Sequence, residues 1–505
     1  MRRSFKVLAL TLGILLQLQS SRAESFDEAS LRKADANVFP EFFQLLSIPC
    51  DSMVPADIQK NADWLVAAFL RRGYRAAPLE NNGKPLVYAE SPDNKPGRPT
   101  ILFYMHFDAQ PVIPEEWSQK SPWIPVVKKK GADGKWAEVP NDQLFRADFD
   151  PELRVFARDA ADDKGPILMF LAGLDLLKSR GIKPAVNVKL LLDSEEERNS
   201  AGIGKVVTDN KALLASDALV VYDGAEHPSA KPTLAFGNRG TVAVTITVYG
   251  PKAPLHSGHY GNYAPNPALN LSKLLAGMKD DDGRVTIPGY YDHVHLTAED
   301  RKIMAAVPDD EAALNKRLGI KIPDKVGANY QEALQYPSLN IRGIAVAGVG
   351  SKASNIVPHQ AIAELDLRTT TDSDSAYLGG LLKSYIEKQG YFLVDHDPTD
   401  AERAEHAKLA NFHMSKADEA ARQEIDSPVG HWAAKAIGEG GQPVQLRQMG
   451  GTLPTAELVH LLQVPFVLVP LVNADDNQHT FDENLRMGNF ISGTRRILEM
   501  LTTAY

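Results

Sequence analysis

Two periodicities divide this chain. From about residue 27 to 235, continuous apolar runs alternate with segments whose apolar residues recur every three to four positions. "NADWLVAAFLRRG" has the helical spacing and stops at Gly73; "GPILMFLAGLDLLKSRG" has it too and stops at Gly181. Between them stand "PTILFYMHFD", "AVNVKLLLDSEEE" and "DALVVYDG", apolar runs of strand length. Strands apolar on both faces and separated by helices predict a largely parallel central sheet in an αβα sandwich.

After residue 238 the texture changes. "GTVAVTITVYG" alternates apolar and polar, as a half-exposed antiparallel strand does. "NPALNLSKLLAGM" is helical, "NIRGIAVAGVG" and "NIVPHQAIAELDLRTTT" are strands, "DSAYLGGLLKSYIEKQG" is helical and "YFLVDHD" is a strand. This β-α-β-β-α-β order predicts a ferredoxin-like α+β domain over 239–399, carrying a long, charged, mostly helical insertion at about 279–337. Residues 400–426 are polar and rich in Ala and Glu, and read as surface helix or linker. Then "WAAKAIGEG", "VPFVLVPLV" and "NFISGTRRILEML" restore the α/β pattern. The second domain is therefore expected as an insertion into the first, which spans 24–238 and 400–505, with natural hinges near residues 238 and 399.

A chain of 505 residues fits this two-domain reading. Its net charge of −9 makes nucleic acid and anionic membrane surfaces poor partners. At the N-terminus, Arg2, Arg3 and Lys6 precede "VLALTLGILLQL", and "SSRA" places small residues at Ser21 and Ala23. The expectation is a signal peptide, residues 1–23, cleaved after Ala23, and export to a periplasm or beyond. The apolar run is shorter than the roughly 20 residues of an anchored helix. Cys50 is the single cysteine, so no internal disulfide forms, and it reads as a small buried hydrophobe.

The strand ends carry the chemistry. Ligands of open parallel sheets bind beyond the carboxyl ends of the strands. There stand His106 and Asp108, Asp162 and Asp163, the Glu195-Glu196-Glu197 triplet, Asp223, and His479 in "NADDNQHTF". Asp163 reads as an N-cap for the helix that follows, or as an exposed neighbour. Imidazole and carboxylate donors without thiolates suit zinc, or manganese and cobalt in its place. So many acids around one pocket call for cations, and two divalent ions sharing a bridging carboxylate would supply them. His106 and Asp108, two apart on an extended chain, face the same side, so Asp108 is expected to hold the imidazole from behind. Trp117 and Trp123 read either as pocket lining or as packing under a loop.

"YMHFDAQPV", "ARDAADDKGP", "SEEERNS", "VYDG", "HSGHYGN", "YPSLNIRGI", "NIVPHQAIAELDLR", "GGTLP" and "NADDNQH" occur in this order. Together they resemble the co-catalytic zinc peptidases, a family of carnosinases and other dipeptidases, Gly-Xaa carboxypeptidase and amide-cleaving deacylases. The similarity covers nearly the whole mature chain and is greatest to the carnosinase-like dipeptidases. It implies a metallopeptidase domain with an inserted lid and dimerisation domain, and a homodimer. It implies that His106 and Asp223 bind one metal, Glu197 and His479 the other, and that Asp162 bridges them. Glu196 would be the general base acting on a water between the ions, with Asp108 supporting His106. His256 would reach the neighbouring protomer's site and stabilise the oxyanion. Arg368 and the loop Gly450, Gly451 and Thr452 would bind the substrate carboxylate.

The chain departs from that pattern in two places. The usual Gly-Arg-Gly is Ala157-Arg158-Asp159 here, and the turn after the glutamates is Arg198-Asn199-Ser200 where a glycine is usual. The expected activity is hydrolysis of dipeptides or short peptides with a free C-terminal carboxylate. A deacylase of N-acyl amino acids would use the same metals and base, and a non-catalytic binding protein on the same scaffold is the third reading. Glu195 reads as a solvated neighbour of the two working glutamates, or one that supports them.

Overall fold

The computed structural model describes residues 26–438 and 441–505; the expected signal peptide, residues 1–23, lies outside the described residues. Its central sheet has eight strands, in the order Arg75–Leu79, Leu86–Glu90, Asn187–Asp193, Thr100–His106, Ala218–Val221, Phe466–Leu468, Thr233–Ala235, Val444–Leu446. The four strands Asn187–Asp193, Thr100–His106, Ala218–Val221 and Phe466–Leu468 are mutually parallel, with His106 opposite Asp193. Their carboxyl ends therefore open on one edge. Side chains alternate across the sheet. Phe103 and Met105 pack with residues of the helices Glu28–Leu46, Lys164–Arg180 and Met487–Thr502. Leu102 and Tyr104 pack with those of Ile203–Asp209 and Thr455–Leu462. Both faces are covered, which is why these strands are apolar throughout.

A second, four-stranded sheet has the order Asn484–Arg486, Arg154–Phe156, Val126–Lys130, Trp136–Val139. The pairing of Arg154–Phe156 with Asn484–Arg486 ties the segments carrying Asp162 and His479 to each other.

The inserted domain is a five-stranded sheet, Ser338–Ala345, Gln360–Thr369, Gly240–Tyr249, Leu409–Met414, Phe392–Val394. Gly240–Tyr249 buries every second residue, as its pattern requires; Val242, Val244, Ile246 and Val248 form the core with Leu271, Leu378 and Leu382. Two expectations change here. The strand that pairs antiparallel with Gly240–Tyr249, completing the ferredoxin-like order, is Leu409–Met414, within the stretch read as helix or linker. Phe392–Val394, expected in that place, lies outside it as a parallel edge strand. The small sheet thus runs past residue 399, and the chain re-enters the larger domain where Ala421–Arg422 pairs with Gly237–Asn238. Among the described residues no helix is long and apolar enough to cross a membrane.

Candidate active site

The strand Thr100–His106 delivers His106, wholly buried, to the carboxyl edge of the sheet. Its Nε2 lies 3.0 Å from Asp162 Oδ1 and 3.6 Å from Asp223 Oδ2. The other oxygen of Asp162 lies 3.2 Å from His479 Nε2, which is also 3.2 Å from Glu197 Oε2. Ligand atoms of His106, Asp162 and Asp223 all fall within 4.8 Å of one another, and so do those of Asp162, Glu197 and His479. Two donor sets thus share one carboxylate, each of whose oxygens serves a different set.

Each ligand is held by identifiable structure. The loop ending at Asp162 wraps around the buried Glu483 carboxylate, which accepts the N–H groups of Asp159, Ala161 and Asp162 at 2.9, 2.9 and 3.1 Å. Arg158 closes the same carboxylate at 2.8 Å and lies over the ring of the buried Trp117. Trp117 therefore packs beneath the loop and does not line the site. Asp163 sits at the N-cap position of Lys164–Arg180 but makes no cap bond there; it is buried and accepts the His106 N–H at 3.2 Å. His479 occupies a tight turn at φ +60°, two residues after Asn477 at the same φ.

The glutamate triplet leaves the sheet through a short turn, Glu196–Arg198. Asp193 steadies its start, accepting the N–H groups of Ser194 and Glu195 and the hydroxyls of Tyr104 and Ser200. Glu195 is not solvated: it is buried, bonded by Asn81 at 2.6 Å and paired with Lys84. Asn199 adopts φ +66°, so it makes the left-handed turn where glycine is usual, a conformation asparagine tolerates. Asp108 stands behind His106, its carboxylate Oδ1 3.6 Å from the imidazole Nδ1. The imidazole Nδ1 meets the Asp108 main-chain carbonyl at 3.0 Å, while the carboxylate accepts the N–H groups of Glu196 at 2.8 Å and Glu197 at 3.2 Å.

Burial dominates the electrostatics. It raises Glu197 to about 8 and Asp223 to about 6, with repulsion from Asp162 adding to both, and raises Glu196 well above the carboxylate range. Burial opposes ionisation of Asp162 too, but the two imidazoles outweigh it and hold its carboxyl low; the Asp162 bond in turn lifts His479 to about 9. Four carboxyl groups and two imidazoles crowded in this way lack positive charge. Two divalent cations would supply it, and the all-nitrogen-and-oxygen donor set suits zinc, manganese or cobalt.

The site opens into a cleft of about 790 Å³ between the two domains. Asp162, Glu196, Glu197, Asp223 and His479 line one wall; Arg368, Gly451 and Thr452 line another. Arg368 Nη1 donates to Thr452 Oγ1 at 2.9 Å, and its Nε lies 3.4 Å from Asp366. Gly450 is not part of that wall. His256 lies outside the cleft, exposed on the inserted domain, its Nδ1 accepting the Gly258 N–H at 3.0 Å. Glu483, Gln110, which donates to Glu197 at 2.8 Å, and Asp418, which accepts from Asn199 at the cleft mouth, had no part in the sequence reading. Glu483 stands four residues after His479, and that closeness was the available signal.

A model of peptidase family M20/M25/M40 matches residues 102–503. The chain is 26% identical to the Cys-Gly metallodipeptidase dug1 of Schizosaccharomyces pombe over 467 residues, 89% of this chain and 91% of that one. It is 25% identical to the Beta-Ala-His dipeptidase of Rattus norvegicus over 419 residues, 81% of this chain and 78% of the other. Among solved structures, an M20 family metallo-carboxypeptidase of Sulfolobus solfataricus superposes with a TM-score of 0.73 at 25% identity, covering 92% of this chain and 98% of that one.

Proposed function

This chain belongs to peptidase family M20/M25/M40, and from that premise we propose that it is a dipeptidase that cleaves the peptide bond of substrates bearing a free C-terminal carboxylate. The observation that carries this reading is the placement of two donor sets, joined through Asp162, in the same cleft as the Arg368 guanidinium. The two relatives named above support it, since their names give the dipeptides Cys-Gly and Beta-Ala-His as substrates.

His106 and Asp223 would hold one divalent ion and Glu197 and His479 the other, with Asp162 between them. Bound there, the ions would acidify the attacking water and neutralise the developing oxyanion. Glu196 lines the cleft beside these ligands, and among the described residues no side-chain bond occupies its carboxylate. It takes the proton from the attacking water and delivers it to the leaving nitrogen. Arg368, its fork steadied by Thr452 and Asp366, binds the substrate carboxylate and so sets which bond reaches the metals.

Two further parts of the reading concern assembly and location. The edge strand Ser338–Ala345 of the inserted domain and the residues after it expose Ile341, Ile344, Val346 and Val349, an apolar strip suited to a second copy of the chain. We propose that in such a homodimer the exposed His256 of one protomer serves the other's cleft. Export, with cleavage after Ala23, is supported by the basic and apolar pattern of the N-terminal sequence. The experiment that tests the function is a substrate panel: dipeptides, the same dipeptides amidated at the C-terminus, and N-acetyl amino acids. Dipeptides should be cleaved and their amides poorly. Preference for the acylated amino acids would make the protein a deacylase instead.

A further inference from the structure

The loop that carries Asp162 has Asp159 where the family pattern places a glycine, and the structure gives this carboxylate four partners. Asp159 has φ +71°, a conformation natural to glycine and tolerated by aspartate. Its side chain is wholly buried. Oδ1 accepts the N–H groups of Asp163 at 2.6 Å and Lys164 at 3.4 Å. Oδ2 accepts the Cys50 thiol at 2.9 Å and lies 3.1 Å from Lys164 Nζ.

Those partners reach outward. Lys164 Nζ, also wholly buried, donates to the carbonyls of Leu45 and Ile48 at 3.2 and 3.1 Å. It thereby caps the carboxyl end of the helix Glu28–Leu46, where a cation is favoured. The main-chain carbonyl of Cys50 accepts the Ala109 N–H at 3.0 Å, one residue from Asp108. The loop bearing Asp162 and the loop bearing His106 are thus joined from behind through one carboxylate, one thiol and one ammonium. A buried lysine without a counter-charge is strongly unfavourable, so Asp159 is matched to Lys164.

We propose that Asp159 is a positioning residue for the bridging carboxylate: by accepting the Asp163 N–H it fixes the turn that aims Asp162 between the two donor sets. This rests on the metal-centre reading given above. Asp159 touches neither substrate nor metal, and its effect is exerted through the peptide that follows Asp162.

Asp159→Ala alone would leave Lys164 unpaired and is expected to fold poorly, so the comparison is made between double variants. Asp159→Asn with Lys164→Met keeps an acceptor for the Asp163 N–H; Asp159→Gly with Lys164→Met removes it while suiting the backbone. Zn²⁺ affinity is measured by calorimetric titration against a competing chelator, with the melting temperature of each metal-free protein as a control for folding. The asparagine variant should bind within a few-fold of the parent chain. The glycine variant should bind about 10–100-fold more weakly, the usual effect of losing a group behind the ligands. Equal affinities in the two folded variants would overturn the inference and leave Asp159 as a counter-charge for Lys164 only. If the parent chain takes up no Zn²⁺, the metal-centre reading itself fails, and this inference with it.

Discussion

The carboxylate of Asp108 accepts the backbone N–H of Glu196 at 2.8 Å. It accepts the N–H of Glu197 as well, and its Oδ1 lies 3.6 Å from His106 Nδ1, which meets the Asp108 main-chain carbonyl at 3.0 Å. A residue on one strand end therefore holds the turn at the next strand end, where the proposed base and a metal ligand sit side by side. Asp108→Ala leaves both N–H groups without their acceptor. The expected result is a fall of about 10–100-fold in kcat, from displacement of Glu196 and Glu197, with KM changing much less. Steady-state kinetics checks this; a raised KM at unchanged kcat would speak against it.

Glu196→Gln keeps the shape of the proposed base and removes its proton affinity. Turnover should drop by about 10²–10⁴-fold, the usual contribution of a positioned general base. The metal content of the purified variant, measured by atomic emission, should equal that of the parent chain. Near-full turnover would remove Glu196 from the mechanism, and lost metal would make it a ligand.

Arg368→Ala should raise KM for dipeptides by about 10–100-fold, as expected when a charge-assisted hydrogen bond worth about 1.5–3 kcal/mol is lost. Hydrolysis of C-terminally amidated dipeptides, slow to begin with, should be nearly unaffected. Equal effects on both substrates would mean that Arg368 acts on the cleft's shape and not on the substrate carboxylate.

Asp35 offers a test of stability away from the cleft. It is wholly buried, with Oδ1 accepting the Thr494 hydroxyl at 2.8 Å and Oδ2 without a partner among the described residues, and burial raises its carboxyl well above the usual range. The folded state therefore holds this proton to higher pH than the unfolded chain does. At low pH both states are protonated and the residue has no penalty. As pH rises past the unfolded value near 4, stability falls by about 1.4 kcal/mol per unit until the folded carboxyl ionises. Asp35→Asn removes this dependence, so its melting temperature should gain on the parent's between pH 5 and pH 8. A difference that stays constant or narrows over that range contradicts the assignment.

The strand ends were legible because a parallel sheet forces a sharp sign change in its sequence. Apolar runs such as "TILFYM" and "KLLLD" stop where the chain leaves the core, and the polar residues there have nowhere to be but the site. The inserted sheet was less legible at Leu409–Met414: "LANFHM" is short, follows a polar helical stretch, and mixes buried with half-exposed positions. The hairpin Val126–Lys130 and Trp136–Val139 shows little apolar periodicity, because only part of one strand is buried. Glu483 shows a different limit. Its partners at 159–162 are more than 300 positions away, so its side chain answers to backbone N–H groups that no local pattern reveals. Asp108 was legible in part: the two-residue period sets its carboxylate 3.6 Å behind the His106 imidazole, but the strand ends at His106, and the bonds to the Glu196 and Glu197 N–H groups lie beyond that period.

Metal-dependent cleavage of a dipeptide is the central consequence of the two donor sets. The direct measurement is hydrolysis of a dipeptide such as Cys-Gly by the purified chain, before chelation, after removal of the chelated metal, and after return of Zn²⁺, Mn²⁺ or Co²⁺. The donor sets joined by Asp162 predict cleavage that is lost with the metal and restored by at least one of these ions, at two ions per chain. Cleavage undiminished in the metal-free protein would contradict it.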